Sequence, residues 1–140
     1  LGDSGAYFIA LFLGYVLIKS HNYNTMISPY YFIVLIWYPC FENLFSIIRK
    51  FIIKKSPGNP DKLHLHHLLF FTIKKKLKLN KIFSNNICSI LINSVNLMIL
   101  SLSYNDPSNT KYQIIIIFSA VSLYILIYLY LLNFNKKFLY

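Results

Sequence analysis

The chain has 140 residues, 56% of them hydrophobic and 13% charged, with a mean hydropathy of +0.52. A soluble domain carries about a quarter charged residues and under half apolar ones; here the apolar residues fall in long blocks, which excludes an ordinary water-soluble core and gives the pattern of a polytopic membrane protein. Net charge is +10, from 14 Lys and Arg against Asp3, Glu42, Asp61 and Asp106, and beside such blocks this excess points to an anionic membrane surface or a phosphorylated substrate, not to nucleic acid.

Leu1-Gly2-Asp3 has neither an initiator Met nor a basic leader before it, so the start is not a signal peptide. The sequence reads as the C-terminal part of a longer protein, with helices missing before Leu1. The first expected span covers Ser4 to Ile18. Gly2, Ala6, Ala10 and Gly14 recur along it every four residues, a small-residue stripe that lets another helix approach closely.

The second expected span covers Pro29 to Ile48 and contains Pro39, where a kink is expected because proline removes a backbone donor. Glu42 is the one acid deep in a span. Glu42, Ser46 and Arg49 share a helical face, so the structural expectation is an ion pair between Glu42 and Arg49. The sharper alternative is a functional intramembrane acid. The third span is expected over Ile87 to Leu102, with Ser89, Asn93 and Asn96 on a face that should look into a bundle. The fourth covers Tyr112 to Leu132. Cys40 and Cys88 lie within apolar blocks and read as small apolar residues, neither disulfide nor zinc ligand. The expected fold class is an all-α transmembrane bundle of about four spans, forming part of one domain over residues 1–140.

Between the second and third spans, residues 49–86 hold ten of the 14 basic residues. Lysine-rich short loops stay in the cytoplasm. This segment is therefore expected inside, as a cytoplasmic loop, and four spans then put Asp3, Lys136 and Lys137 inside with it. The loop runs Ser56-Pro57-Gly58-Asn59-Pro60-Asp61-Lys62-Leu63-His64-Leu65-His66-His67. Three histidines within four residues, beside Asp61 and Lys62, can bind metal, donate to phosphate oxygens or shuttle protons, and the lysines add phosphate-attracting charge. Zinc is an alternative, but the spacing matches neither a closed four-ligand site nor a catalytic H-E-x-x-H pair. The bland alternative is a solvated polar loop. At the other end, Asp3 in Gly2-Asp3-Ser4-Gly5 stands at the mouth of the first span; a carboxylate there suits a hard cation such as Mg²⁺, or simply caps its helix.

Taken in order, Leu1-Gly2-Asp3-Ser4-Gly5, Pro39-Cys40-Phe41-Glu42-Asn43, Phe45-Ser46-Ile47-Ile48-Arg49-Lys50 and Ser56-Pro57 through His67 resemble the polyprenyl-phosphate N-acetylhexosamine-1-phosphate transferases, family 4 of the membrane glycosyltransferases. The resemblance covers the first half with specific motifs and the rest only as two further spans. It implies transfer of an N-acetylhexosamine-1-phosphate from a UDP-linked amino sugar to undecaprenyl phosphate, releasing UMP, at the cytoplasmic face of a bacterial inner membrane, with Mg²⁺ required. Asp3 would be the catalytic and metal-site carboxylate. His64, His66 and His67 would bind the diphosphate, with Asp61, Lys62 and Arg49 as further substrate-binding residues. The H-x-H-H form is more similar to the N-acetylglucosamine-type branch. The family's aspartate-rich motif lies upstream of the matched motifs, so this chain alone is expected to be inactive. The implied partners are the UDP-sugar, undecaprenyl phosphate, membrane lipids and the missing helices, with a homodimer among the assemblies allowed. The competing reading is a non-catalytic membrane module that packs against partner helices.

Overall fold

The computed structural model describes residues 3–54 and 63–139, without the side chains of residue 3 and residues 136–139. The described residues form six helices and no strand: α1 (Asp3–Tyr23), α2 (Pro29–Leu35), α3 (Trp37–Ile52), α4 (Leu65–Leu77), α5 (Lys81–Tyr104) and α6 (Thr110–Leu139). Three of them, α1, α5 and α6, are long and apolar enough to cross a membrane, and α2 with α3 would make a fourth span, bent by 75°. The expected all-α, multi-pass bundle is therefore what this sequence forms. The helices run beyond the expected spans, α1 to Tyr23 and α5 from Lys81 to Tyr104, because their flanking polar residues continue the helix past the apolar stretch.

The organising element is α6. Its buried residues Gln113, Ile116, Ala120, Tyr124, Tyr128, Leu131 and Asn135 recur every three or four positions, so they form one stripe along the helix. Val34, Trp37, Leu65, Leu68 and Ile99 pack onto that stripe from α2, α3, α4 and α5. At one end polar contacts close the bundle. Ser28 N–H donates to the Pro107 carbonyl at 3.0 Å, and the Ser28 and Thr110 hydroxyls are 3.1 Å apart. The Gln113 amide donates to the Ser103 and Asp106 carbonyls at 2.9 and 2.8 Å and accepts from Ser103 Oγ at 2.6 Å. Gln113 is fully buried, and these bonds satisfy its amide where water is absent.

The second span breaks at Ile36, three residues before the proline expected to kink it. Proline clashes with the carbonyl four residues earlier in a continuous helix. For Pro39 that carbonyl belongs to Leu35, the last residue of α2. The helix restarts at Trp37, so Pro39 falls in the first turn of α3, where its missing N–H costs nothing.

The basic segment is not an open loop. Its second half is α4, which packs against α5 and α6. The reason is its pattern: Leu65, Leu68, Leu69, Thr72 and Ile73 fall at helical spacing, and four of them are buried. Asn135 locks α4 to α6, donating to Thr72 Oγ1 at 2.8 Å and to the Leu68 carbonyl at 3.2 Å. Lys74, Lys75 and Lys76 fill the last turn, where cations meet the negative end of the helix dipole.

One expected helix face differs. In α5 the packed residues are Ser84, Cys88, Ile99 and Ser103. Ser89 and Asn93 are exposed, whereas Asn96 is half-buried and turns its Oδ1 into the bundle; the small Ser84 and Cys88 allow the closer approach of α4. α1 has no buried residue in its apolar stretch and meets the rest through α2, where the His21 ring lies edge-on to Phe32 at 5.9 Å. Among the described residues nothing buries Ala6 or Ala10 of its small-residue stripe, and a methyl group added at Gly14 would touch nothing within 4 Å.

Candidate functional site

Glu42 is the centre of the site. It projects from the packed face of α3, which also carries Trp37, Ser46 and Lys50, and it is only 8% exposed. A buried carboxylate is costly unless its oxygens are bonded, and both are. Oε1 accepts from His64 Nδ1 at 3.0 Å and from the Leu65 backbone N–H at 2.9 Å. Oε2 accepts from the Tyr124 hydroxyl at 2.8 Å. Leu65 begins α4, and His64, its N-cap, offers no side-chain cap. Glu42 thus caps α4 from another helix, satisfying one of the donors that a helix start leaves open.

Arg49 lies two turns further along α3. Its Nη1 donates to the Leu63 carbonyl at 2.7 Å and to the Tyr128 hydroxyl at 3.0 Å, and Nη2 donates to Ser46 Oγ at 3.3 Å. The guanidinium carbon also lies 5.6 Å from the Tyr128 ring centre and 5.9 Å from that of Phe45, a cation–π arrangement. The expected pair between Glu42 and Arg49 is therefore not what forms: the ionic partner of Glu42 among the described residues is His64. The physical reason is reach. Both side chains leave the same face of α3, and closer partners at the approach to α4 and on α6 take each of them. Arg49, expected among the substrate-binding groups, is engaged by protein acceptors.

The three histidines gather at the start of α4. Ring centres are 5.6 Å apart for His64 and His66, 6.4 Å for His64 and His67, and 4.2 Å for His66 and His67. His66 is held below the usual imidazole range, first by burial and then by the neighbouring His67, although Glu42 pulls the other way. The His66 carbonyl accepts from Cys88 Sγ at 3.3 Å, which seats the cluster against α5. His66 and His67 open onto a cleft of about 690 Å³ whose other polar walls come from Lys81, Asn85, Asn86 and Ser89. A second cleft of about 240 Å³, walled by Trp37, Leu91, Val95, Leu123 and Ile127 among others, is apolar and shares Ile92 with the first.

Asp61 and Lys62 lie outside the described residues, as does the side chain of Asp3, whose backbone begins α1. Among the described residues no three His, Cys, Asp or Glu side chains stand close enough together to hold a metal ion, and the Glu42 oxygens are taken by protein donors. The described residues do not by themselves make a ligand set for magnesium or zinc. What they make is a triad of imidazoles, one anchored to a buried carboxylate and two facing a cleft of mixed polar and apolar lining, an arrangement suited to hydrogen-bonding an anion.

Sequence comparison finds relatives for about half of the chain. The chain is 33% identical over 81 residues to the decaprenyl-phosphate N-acetylglucosaminephosphotransferase of Mycolicibacterium smegmatis, a match covering 49% of this chain and 20% of that one. It is 28% identical over 75 residues to the undecaprenyl-phosphate alpha-N-acetylglucosaminyl 1-phosphate transferase of Thermotoga maritima, covering 54% and 24%. The chain spans about a fifth to a quarter of the length of these curated relatives. No protein-family model and no solved structure matches it. About half of the chain is thus similar to polyprenyl-phosphate N-acetylglucosamine-1-phosphate transferases.

Proposed function

We propose that the chain contributes part of the active site of a membrane transferase that moves N-acetylhexosamine-1-phosphate from a UDP-linked amino sugar to undecaprenyl phosphate, releasing UMP, at the cytoplasmic face of a bacterial membrane. The observation that carries this reading is the imidazole cluster of His64, His66 and His67, set at the edge of a membrane bundle beside a cleft of mixed lining and an apolar one.

The chemistry asks for what this cluster offers. A lipid-phosphate oxygen bonds to the sugar-bearing phosphorus while the bond from that phosphorus to the bridging oxygen breaks, and UMP leaves with the electron pair. Such a displacement needs alignment and charge stabilisation more than covalent participation by the protein. His66 and His67 would donate to the diphosphate oxygens, with Lys81 adding charge at the cleft. Magnesium belongs to the proposal through Asp3; the described residues add no carboxylate to its ligand set.

The test is UMP release by the complete reading frame that contains this chain, with UDP-amino sugars, undecaprenyl phosphate and Mg²⁺. Asp3→Asn and His66→Ala should each abolish it. Undiminished turnover in both variants sinks the proposal.

A further inference from the structure

We infer that Glu42 and Arg49 are positioning residues: together they grip the backbone on both sides of His64, and Glu42 fixes which nitrogen of that imidazole is left open. The inference rests on the proposed function for its consequence in catalysis, but the grip itself is geometric.

Two groups on one face of α3 take hold of three consecutive residues. Arg49 donates to the carbonyl of Leu63, before the histidine. Glu42 accepts from the N–H of Leu65, after it, and from the His64 ring itself through the same oxygen. The carboxylate is in turn held by the Tyr124 hydroxyl, and the guanidinium by that of Tyr128. Those two tyrosines are one turn apart on α6 with their rings parallel within 6°. The grip therefore joins three elements, α3, the start of α4 and α6, and it is braced on the most buried stripe of the bundle.

The effect on His64 follows from hydrogen-bond chemistry. A carboxylate only accepts, so Nδ1 must carry the hydrogen in the 3.0 Å contact. The neutral ring is then fixed with Nε2 as its open nitrogen, and on protonation that same nitrogen becomes the donor. Without Glu42 the ring would interconvert between tautomers and rotate about its side-chain bonds. An imidazole positioned in advance has no ordering cost to meet when the anion arrives.

The test uses the complete reading frame in lipid nanodiscs. Glu42→Gln keeps a carbonyl oxygen for His64 and Leu65 and an amide for the Tyr124 oxygen; Glu42→Ala keeps nothing. We expect Glu42→Ala to lower kcat/KM about 10- to 100-fold, the usual cost of losing an imidazole's orienting partner, and Glu42→Gln to recover most of it. The double variant Glu42→Ala/His64→Ala should be no slower than His64→Ala alone. A Glu42→Ala penalty that persists in full without His64 overturns the inference, as does a Gln variant no better than Ala. Independently of turnover, histidine ¹⁵N spectra should show the Nδ1-protonated form of His64 in the wild type and tautomer exchange in Glu42→Ala; an Nε2-protonated ring in the wild type also overturns it. If the wild type releases no UMP, the function reading fails, while these spectra still judge the grip.

Discussion

Tyr124 Oη and Glu42 Oε2 are 2.8 Å apart across 82 positions of sequence, and this contact ties the longest helix to the buried acid of the broken span. Tyr124 is buried and its ring meets Phe41 and Phe45 edge-on at 5.0 and 5.5 Å. Phenylalanine would keep the ring contacts and remove only the donor. Tyr124→Phe should cost about 1–3 kcal/mol, the penalty for leaving a buried acceptor short of a partner. Unfolding in detergent micelles measures it, and an unchanged midpoint would show that the hydroxyl contributes nothing there.

Leu68 is fully buried, whereas Phe71, one turn on along α4, is 41% exposed. Leu68→Ala should therefore destabilise the bundle by about 2–5 kcal/mol through lost burial and a residual cavity. Phe71→Ala should cost much less. Equal losses for the two in the same melting assay would contradict the packing described for α4.

Asn135 holds α4 to the end of α6 through Thr72 and Leu68. Replacing it with alanine should raise amide hydrogen exchange in α4 selectively, because local opening tracks the contacts that close a segment. Exchange in α5 around Ile99 should stay as it was. A uniform rise across both helices would assign Asn135 to global stability instead.

His66 gives the chain a pH dependence of known sign. Burial and His67 set its protonation below the ordinary value of 6.5, so the folded chain binds fewer protons at this site than the unfolded one. The associated stability is fully present above about pH 6.5 and is lost as pH falls through the lowered range. Melting midpoints of the wild type should fall below about pH 6.5 more steeply than those of His66→Gln. Parallel curves would remove His66 as the source.

How much of this was legible in the sequence varies by feature. The apolar blocks gave the spans, because lipid demands long uninterrupted helices. The histidine triplet announced itself by spacing alone. α4 hides within the basic segment: Leu65, Leu68, Leu69, Thr72 and Ile73 carry helical periodicity, but the lysines beside them give the segment the composition of a loop. Pro39 was rightly seen as breaking its helix, but the break lands at Ile36 because the clash falls four residues upstream. The partners of Glu42 could not be read. His64 and Tyr124 lie 22 and 82 positions away, and only the register of three packed helices brings them together, so local reasoning paired Glu42 with Arg49 on its own helix.

The bend at Ile36 also sets a depth. Drawn out straight, Pro29–Ile52 would reach about 36 Å and would put Arg49 about 30 Å from Pro29, the full thickness of a hydrocarbon core. Turned by 75°, α3 instead runs across α6, and Phe41, Phe45 and Arg49 all meet it within the single turn from Tyr124 to Tyr128. The seven-residue α2 is then a ruler. It is pinned at Ser28 to the far turn of the bundle, and its length together with the bend sets how far from that turn the acid, and with it the first histidine, comes to rest.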